Sequence, residues 1–224
     1  MKSQQENIET AEQRSNIYGF LSLIYKTEVT ENLLNKIKET GMLSTLINEM
    51  ETSFEDDFLH RPDKELIEDL AVEYARLFLG PGKHISPHES VHHERDDGDW
   101  GQLWGADTVA VKKFIETSGL EYHSDYKGLP DHIGVELEFM GEVIKREAGA
   151  WKNNDPEGAL YCIKIEKKFI EEHLAGWVPV FCDKVIVQAE SSFYREIAKL
   201  TKNFLENEAG GIDNYLMQAR DEVV

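Results

Sequence analysis

Apolar residues recur at three- and four-residue steps along most of the chain, and that period predicts helix rather than strand. The clearest stretch runs from Glu65 to His93. Leu66, Leu70, Tyr74 and Leu77 stack on one helical face, and Ile67, Ala71 and Phe78 widen it to the breadth of a helix lying on a core. Gly80-Pro81-Gly82 ends that helix. Gly80 is expected in the left-handed C-terminal conformation, and Pro81 cannot continue the hydrogen-bond ladder. A loop dense in histidine follows, with His84, His88, His92 and His93.

The same period predicts the other elements. Ile8, Ala11, Ile17, Phe20, Leu21 and Ile24 mark a first helix over 6–26. Two shorter helices around Gly41 follow, the first capped by Thr30 and the second carrying Met42, Leu46 and Met50. A helix over 106–118 ends at Gly119. Pro130 suits the first turn of the next helix, and Asp131 its positive dipole end. Asp155-Pro156 repeats the cap-then-proline start. Phe193, Ile197, Leu200 and Phe204 mark the last long helix, and residues 208–224 are expected to form a short or frayed one around Tyr215 and Leu216. The β-rich run VIVQ at 185–188 sits inside a helical register. The pattern therefore predicts an all-α fold of about nine or ten helices in a compact bundle. Residues 1–224 are expected to form a single domain with a long functional loop at about 80–104. Trp100 and Trp104 lie in that loop and are expected to anchor it to the core, as large aromatics usually bury.

Charge narrows the partners. The 224 residues carry 24 basic and 43 acidic side chains, a formal net charge of −19. Such a surface repels nucleic acid and anionic lipid and favours a basic partner. The two cysteines, Cys162 and Cys182, have no metal-ligand spacing and are expected as buried thiols. The N-terminus is polar and lacks a signal-peptide core, and no apolar run approaches the ~20 residues needed to span a bilayer. These features predict a cytoplasmic protein without stable membrane insertion.

Two constellations could carry chemistry. His88-Glu89-Ser90-Val91-His92 matches H-E-x-x-H, which in zinc hydrolases puts two imidazoles on one helix face with the glutamate as general base. Here Gly80, Pro81, Gly82 and Pro87 precede the match, and Asp96, Asp97 and Gly98 close it, so there is no room for the long braced helix that motif needs. A metal-dependent hydrolase using these residues is the alternative reading; no resident metal or cofactor is expected. Asp131-His132 is the second constellation, read as a helix N-terminal cap plus a polar contact.

Three short motifs in order resemble a known family. Glu73-Tyr74 through Leu77-Phe78 to Gly80-Pro81 is similar to E-Y-x-x-L-F-x-G-P. Pro87-His88-Glu89-Ser90-Val91 is similar to P-x-E-S-V. Pro130-Asp131-His132 followed by Glu136-Leu137-Glu138-Phe139-Met140 is similar to P-D-H with E-L-x-F-M. The chain thus resembles the TorD/DmsD/NarJ group of redox-enzyme maturation proteins, all-α cytoplasmic chaperones of molybdenum-cofactor oxidoreductases. The resemblance implies a non-enzymatic protein that binds the twin-arginine signal peptide of its client, and the client's body, and holds it back until its cofactor is inserted. It implies a monomer or homodimer that takes no nucleic acid. The peptide-binding residues it implies are Tyr74, Leu77, Phe78, Gly80, Pro81, Pro87, His88, Glu89, Ser90, Val91, Asp131, His132 and Glu136.

Overall fold

The computed structural model describes residues 4–39, 61–80, 82–93, 101–119 and 126–220. Among them there are eight continuous helical stretches and no strand; a lone antiparallel bridge joins His88 and His132. The expected helix over Met42–Met50, Pro81 and Trp100 lie outside the described residues. The helices are α1 Gln4–Lys26, α2 Glu31–Glu39, α3 Asp63–Tyr74, α4 Glu89–His92, α5 Ala106–Thr117, α6 Ile133–Lys152, α7 Pro156–Phe169, α8 Ala175–Gln188 and α9 Ser192–Arg220. A π-helical turn, Ala75–Leu79, extends α3, and a second, Ile170–Leu174, joins α7 to α8 without a break. The VIVQ run is helical, inside α8.

The chain divides into two compact units. The first comprises Met1–Lys26, His88–Trp177 and Glu206–Val224, and the second Thr27–Pro87 and Val178–Leu205.

In the first unit α1 packs along α6. Small residues set the approach: Ser15 Oγ donates to Gly141 O at 2.9 Å and Ser22 Oγ to Gly134 O at 2.6 Å. A Cβ on Gly134 would meet Lys26 Cγ at 2.5 Å and Ser22 O at 3.0 Å, so only glycine admits this contact. Phe139 and Phe169 join Phe114 and His173 in an aromatic cluster, with ring centroids 4.7–6.1 Å apart.

The same unit buries an ionic network. Arg14 Nη1 lies 3.3 Å from Glu147, and its Nη2 lies 2.8 Å from Glu166 and 2.7 Å from Glu208. One guanidinium thus faces three carboxylates, two of them fully buried. Burial pushes Glu166 up to about 8 against the pull of Arg14, and it raises Glu147 as well. Trp151 and Tyr215 donate to Glu147.

In the second unit Tyr74, Phe78, Phe181 and Tyr194 form the core, with centroids 5.2–6.3 Å apart. Glu73 is buried there. It accepts from Glu190 N at 2.6 Å and from Ser191 N at 3.0 Å, satisfying donors ahead of the first turn of α9. Arg76 bonds both Glu73, at 3.1 Å, and Gln188 O, at 2.9 Å.

The caps at Thr30 and Asp155 form as expected: Thr30 Oγ1 accepts from Leu33 N, and Asp155 Oδ1 from Gly158 N. Four local expectations are corrected. Gly80 is extended (φ −66, ψ 156) rather than left-handed; the residue before a proline is driven out of the helical region, and Pro81 follows it. Pro130 precedes α6 instead of opening it, and His132 takes the N-cap. The last helix does not break near residue 208, because Ile212, Leu216 and Ala219 continue its buried face through Gly210-Gly211. Trp104 is 77% exposed and does not anchor its loop.

Candidate functional site

In the second unit, Tyr74, Leu77 and Phe78 project into the core, Gly80 is half-buried and Pro87 is buried. Leu77 O accepts from Ile85 N at 2.7 Å, which folds the chain back after the π turn.

His88, Glu89, Ser90, Val91, Asp131, His132 and Glu136 lie in the first unit. The structure brings them together. Glu89 N donates to Asp131 O at 2.9 Å, and Ser90 N to Asp131 Oδ2 at 3.2 Å. Asp131 therefore holds the first turn of α4, whose backbone N–H groups would otherwise lack partners. His132 Nδ1 accepts from Gly134 N at 3.0 Å and caps α6, as the cap reading of Asp131-His132 expects. The His88 ring packs edge-on to His132 at 5.1 Å, and Tyr126 lies 4.7 Å from it on another side. Burial, with His88 and Lys26 adding to it, holds His132 down to about 3, so it is neutral through the physiological range.

Beneath this turn lies a buried acid cluster. Asp131 and Glu136 are inaccessible to solvent, and Glu89 is buried. Glu136 stands beside Glu89 and accepts from Trp177 Nε1 at 3.2 Å. Burial, and then the Glu89 and Asp131 charges, push its carboxyl well above the ordinary range. Burial also raises Glu89, while His173 and His93 pull it back. His173 Nδ1 lies 3.0 Å from Glu89 Oε2 and 3.2 Å from Oε1. Ser90 Oγ, Asp131 Oδ1 and Glu136 Oε1 have no hydrogen-bond partner among the described residues. The surface over this cluster is formed by half-exposed groups, among them His88, Val91, His92 and His93.

Four members of this assembly were not legible as site residues. His173 and Trp177 are 84 and 41 positions from the acids they bond. No local pattern marks them, and the π turn over Ile170–Leu174 adds the extra residue that sets their facing. His93 and Asp107 converge on Glu89; these three side chains offer ligand atoms within 4.8 Å of one another.

The H-E-x-x-H residues do not form a hydrolase centre. The helix they occupy is four residues long, His88 precedes it in extended backbone, and His92 stacks on Trp177 at 5.4 Å while His88 faces His132. Trp104, at φ 69, takes the left-handed backbone that bulky residues avoid, in the turn before α5.

Comparison with known proteins places this geometry. The model of the family described as "Nitrate reductase delta subunit" matches residues 42–183, more than half of the chain. A "Chaperone protein TorD" of Vibrio vulnificus (strain YJ016) is 27% identical over 206 residues, covering 86% of this chain and 91% of the relative. A "Chaperone protein TorD" of Shewanella pealeana is 26% identical over 216 residues, covering 91% of each. The crystal structure of a candidate redox enzyme maturation protein from Archaeoglobus fulgidus superposes with a TM-score of 0.56 at 23% identity, covering 87% of this chain and 94% of that one, and shows the same all-α fold. Family and relatives are chaperones rather than catalysts. A chain with this fold, these motifs and this match belongs to the nitrate reductase delta subunit family, the TorD-like redox-enzyme maturation chaperones, and its role is that of a chaperone.

Proposed function

We propose that this chaperone works in the cytoplasm, binds the twin-arginine signal peptide of a molybdenum-cofactor oxidoreductase, and attends that enzyme until its cofactor is inserted, before export. The observation that carries the reading is the seating of His88–Val91 on the Asp131–His132 turn. That segment carries the buried Glu89 and lies against two further buried acids, Asp131 and Glu136. Those acids are positioning groups. Asp131 holds the first turn of α4 at the start of α6 through Glu89 N and Ser90 N, beside a half-exposed surface that includes His88 and Val91. A leader with two arginines beside an apolar stretch suits that surface. The net charge of −19 draws the arginines in, and short-range apolar contact retains the rest. Among the described residues no helix is long and apolar enough to cross a membrane, which is in keeping with a chaperone that meets its client before export.

Calorimetric titration with a twin-arginine leader tests this. The Arg-Arg peptide should bind more tightly than its Lys-Lys variant, since arginine keeps bidentate geometry where lysine does not. Raising salt from 0.1 to 1 M shortens the Debye length from ~10 to ~3 Å and should weaken binding without abolishing it. Absence of binding to any such leader by folded protein would refute the proposal.

A further inference from the structure

We propose that Glu89, His93 and Asp107 form a binding site for one divalent transition-metal ion of the zinc class. The site is built from three places in the first unit. Glu89 opens α4, His93 follows its last residue, and Asp107 lies in the first turn of α5. His93 N donates to Glu89 O at 3.2 Å, so the backbone itself sets the two side chains on one side of the turn.

The separations have the metric of a coordination shell. His93 Nδ1 lies 3.3 Å from Glu89 Oε1 and 3.5 Å from Asp107 Oδ1. A formed N–H···O bond spans about 2.7–3.2 Å, so both are long for hydrogen bonds. Zinc holds nitrogen and oxygen ligands at about 2.0–2.2 Å, which at the tetrahedral angle separates them by about 3.3–3.6 Å. One imidazole and two carboxylates are a donor set that zinc accepts, with the fourth position left to water.

The surroundings are those of a supported site. His173 Nδ1, 3.0 Å from Glu89 Oε2, orients the carboxylate from behind, the role that an outer partner plays for a metal-bound acid. Gly176 leaves room for the imidazole, since a Cβ there would stand 2.8 Å from His93 Nε2. A separate observation points to a cation. Glu136 is wholly buried beside Glu89 and Asp131, and its Oε1 has no hydrogen-bond partner among the described residues. A divalent ion on Glu89 would set positive charge beside these buried carboxyl groups. His93 and Asp107 are each about a quarter exposed, at 25% and 22%, so an ion can enter from solvent. The bound ion would tie the motif turn at α4 to α5. This assignment does not rest on peptide binding, and its test uses no leader.

The test uses the full chain, untagged and stripped with chelator, titrated with zinc by calorimetry and checked by elemental analysis after dialysis. One equivalent of zinc per chain is expected, with a rise in melting temperature, since a ligand that binds only the folded state stabilises it. His93→Gln and Asp107→Asn should each weaken binding at least about tenfold and abolish the thermal shift. His84→Gln and His88→Gln should change neither. Asp107→Asn keeps the question open to measurement if His93→Gln compromises folding, which circular dichroism of the metal-free variants reports. Sub-stoichiometric zinc overturns the assignment. So does stoichiometric zinc that His88→Gln or His84→Gln removes and His93→Gln and Asp107→Asn leave intact.

Discussion

Replacing Glu166 with glutamine should make this protein more stable as pH rises, relative to the parent. Glu166 is fully buried, 2.8 Å from Arg14 Nη2, and shares that single guanidinium with Glu147 and Glu208. Removal from water disfavours its charged form by more than Arg14 favours it, and its pKa rises to about 8. The folded state therefore keeps a proton on Glu166 at neutral pH, whereas the unfolded chain gives it up near the ordinary value of about 4.5. Between those limits the native state binds more protons than the unfolded one. The contribution of Glu166 to stability is thus fully present at low pH and is lost as pH rises through the folded pKa. One proton corresponds to ~1.4 kcal/mol per pH unit, or roughly 3 kcal/mol between pH 5.5 and 7.5. Glutamine has the shape of the protonated acid, still accepts from Arg14 and cannot ionise, so this slope vanishes in the variant. Urea unfolding of both proteins at pH 5.5, 6.5 and 7.5 gives the difference directly. It should be small at pH 5.5 and grow in favour of Glu166→Gln by about 1 kcal/mol or more per unit. If Glu166 is instead ionised and its pairing with Arg14 dominates, the variant loses about 3–5 kcal/mol at neutral pH, as a broken buried ion pair does. That result would refute the reasoning.

Glu73→Ala should destabilise the chain by roughly 3 kcal/mol in urea unfolding, because it strips the acceptor from the Glu190 and Ser191 amides, and Glu73→Gln should recover part of the loss. Gly134→Ala should cost about 1–3 kcal/mol through the clash with Lys26 and Ser22 O, whereas Gly149→Ala, whose Cβ meets nothing within 4 Å, should gain about 0.5–1 kcal/mol from helix propensity; thermal melts of the pair would reverse this order if the α1–α6 approach were loose. In proton NMR the His132 ring should not titrate between pH 5 and 8, and a midpoint near 6.5 would mean that it is solvated.

Much of this protein was legible in its sequence, since each element depends on its own residues. Apolar side chains at three- and four-residue steps make a stripe that only a helix can bury at once. The faces of α1, α3, α6 and α9 could therefore be read directly, as could the caps at Thr30 and Asp155. The motif residues Glu89, Asp131 and His132 were recognisable too. Their meeting was not, since Asp131 reaches Ser90 N from 41 positions away and no local pattern encodes that distance.

Tertiary structure decided the rest, through choices that local preference leaves open. Gly80 could have gone left-handed and went extended. The face that His173 presents depended on one extra residue in a π turn. Glu73, read as part of a motif, became a buried acceptor for the amides ahead of α9 once that helix start came within reach. The H-E-x-x-H match promised a pairing of His88 with His92, and packing against His132 and Trp177 separated them and left His93 to meet Glu89 and Asp107. Sequence periodicity says which side of a helix is buried. Which polar groups share that interior, and so which charges must be neutralised there, is determined only when distant segments are brought within a few ångströms at low dielectric.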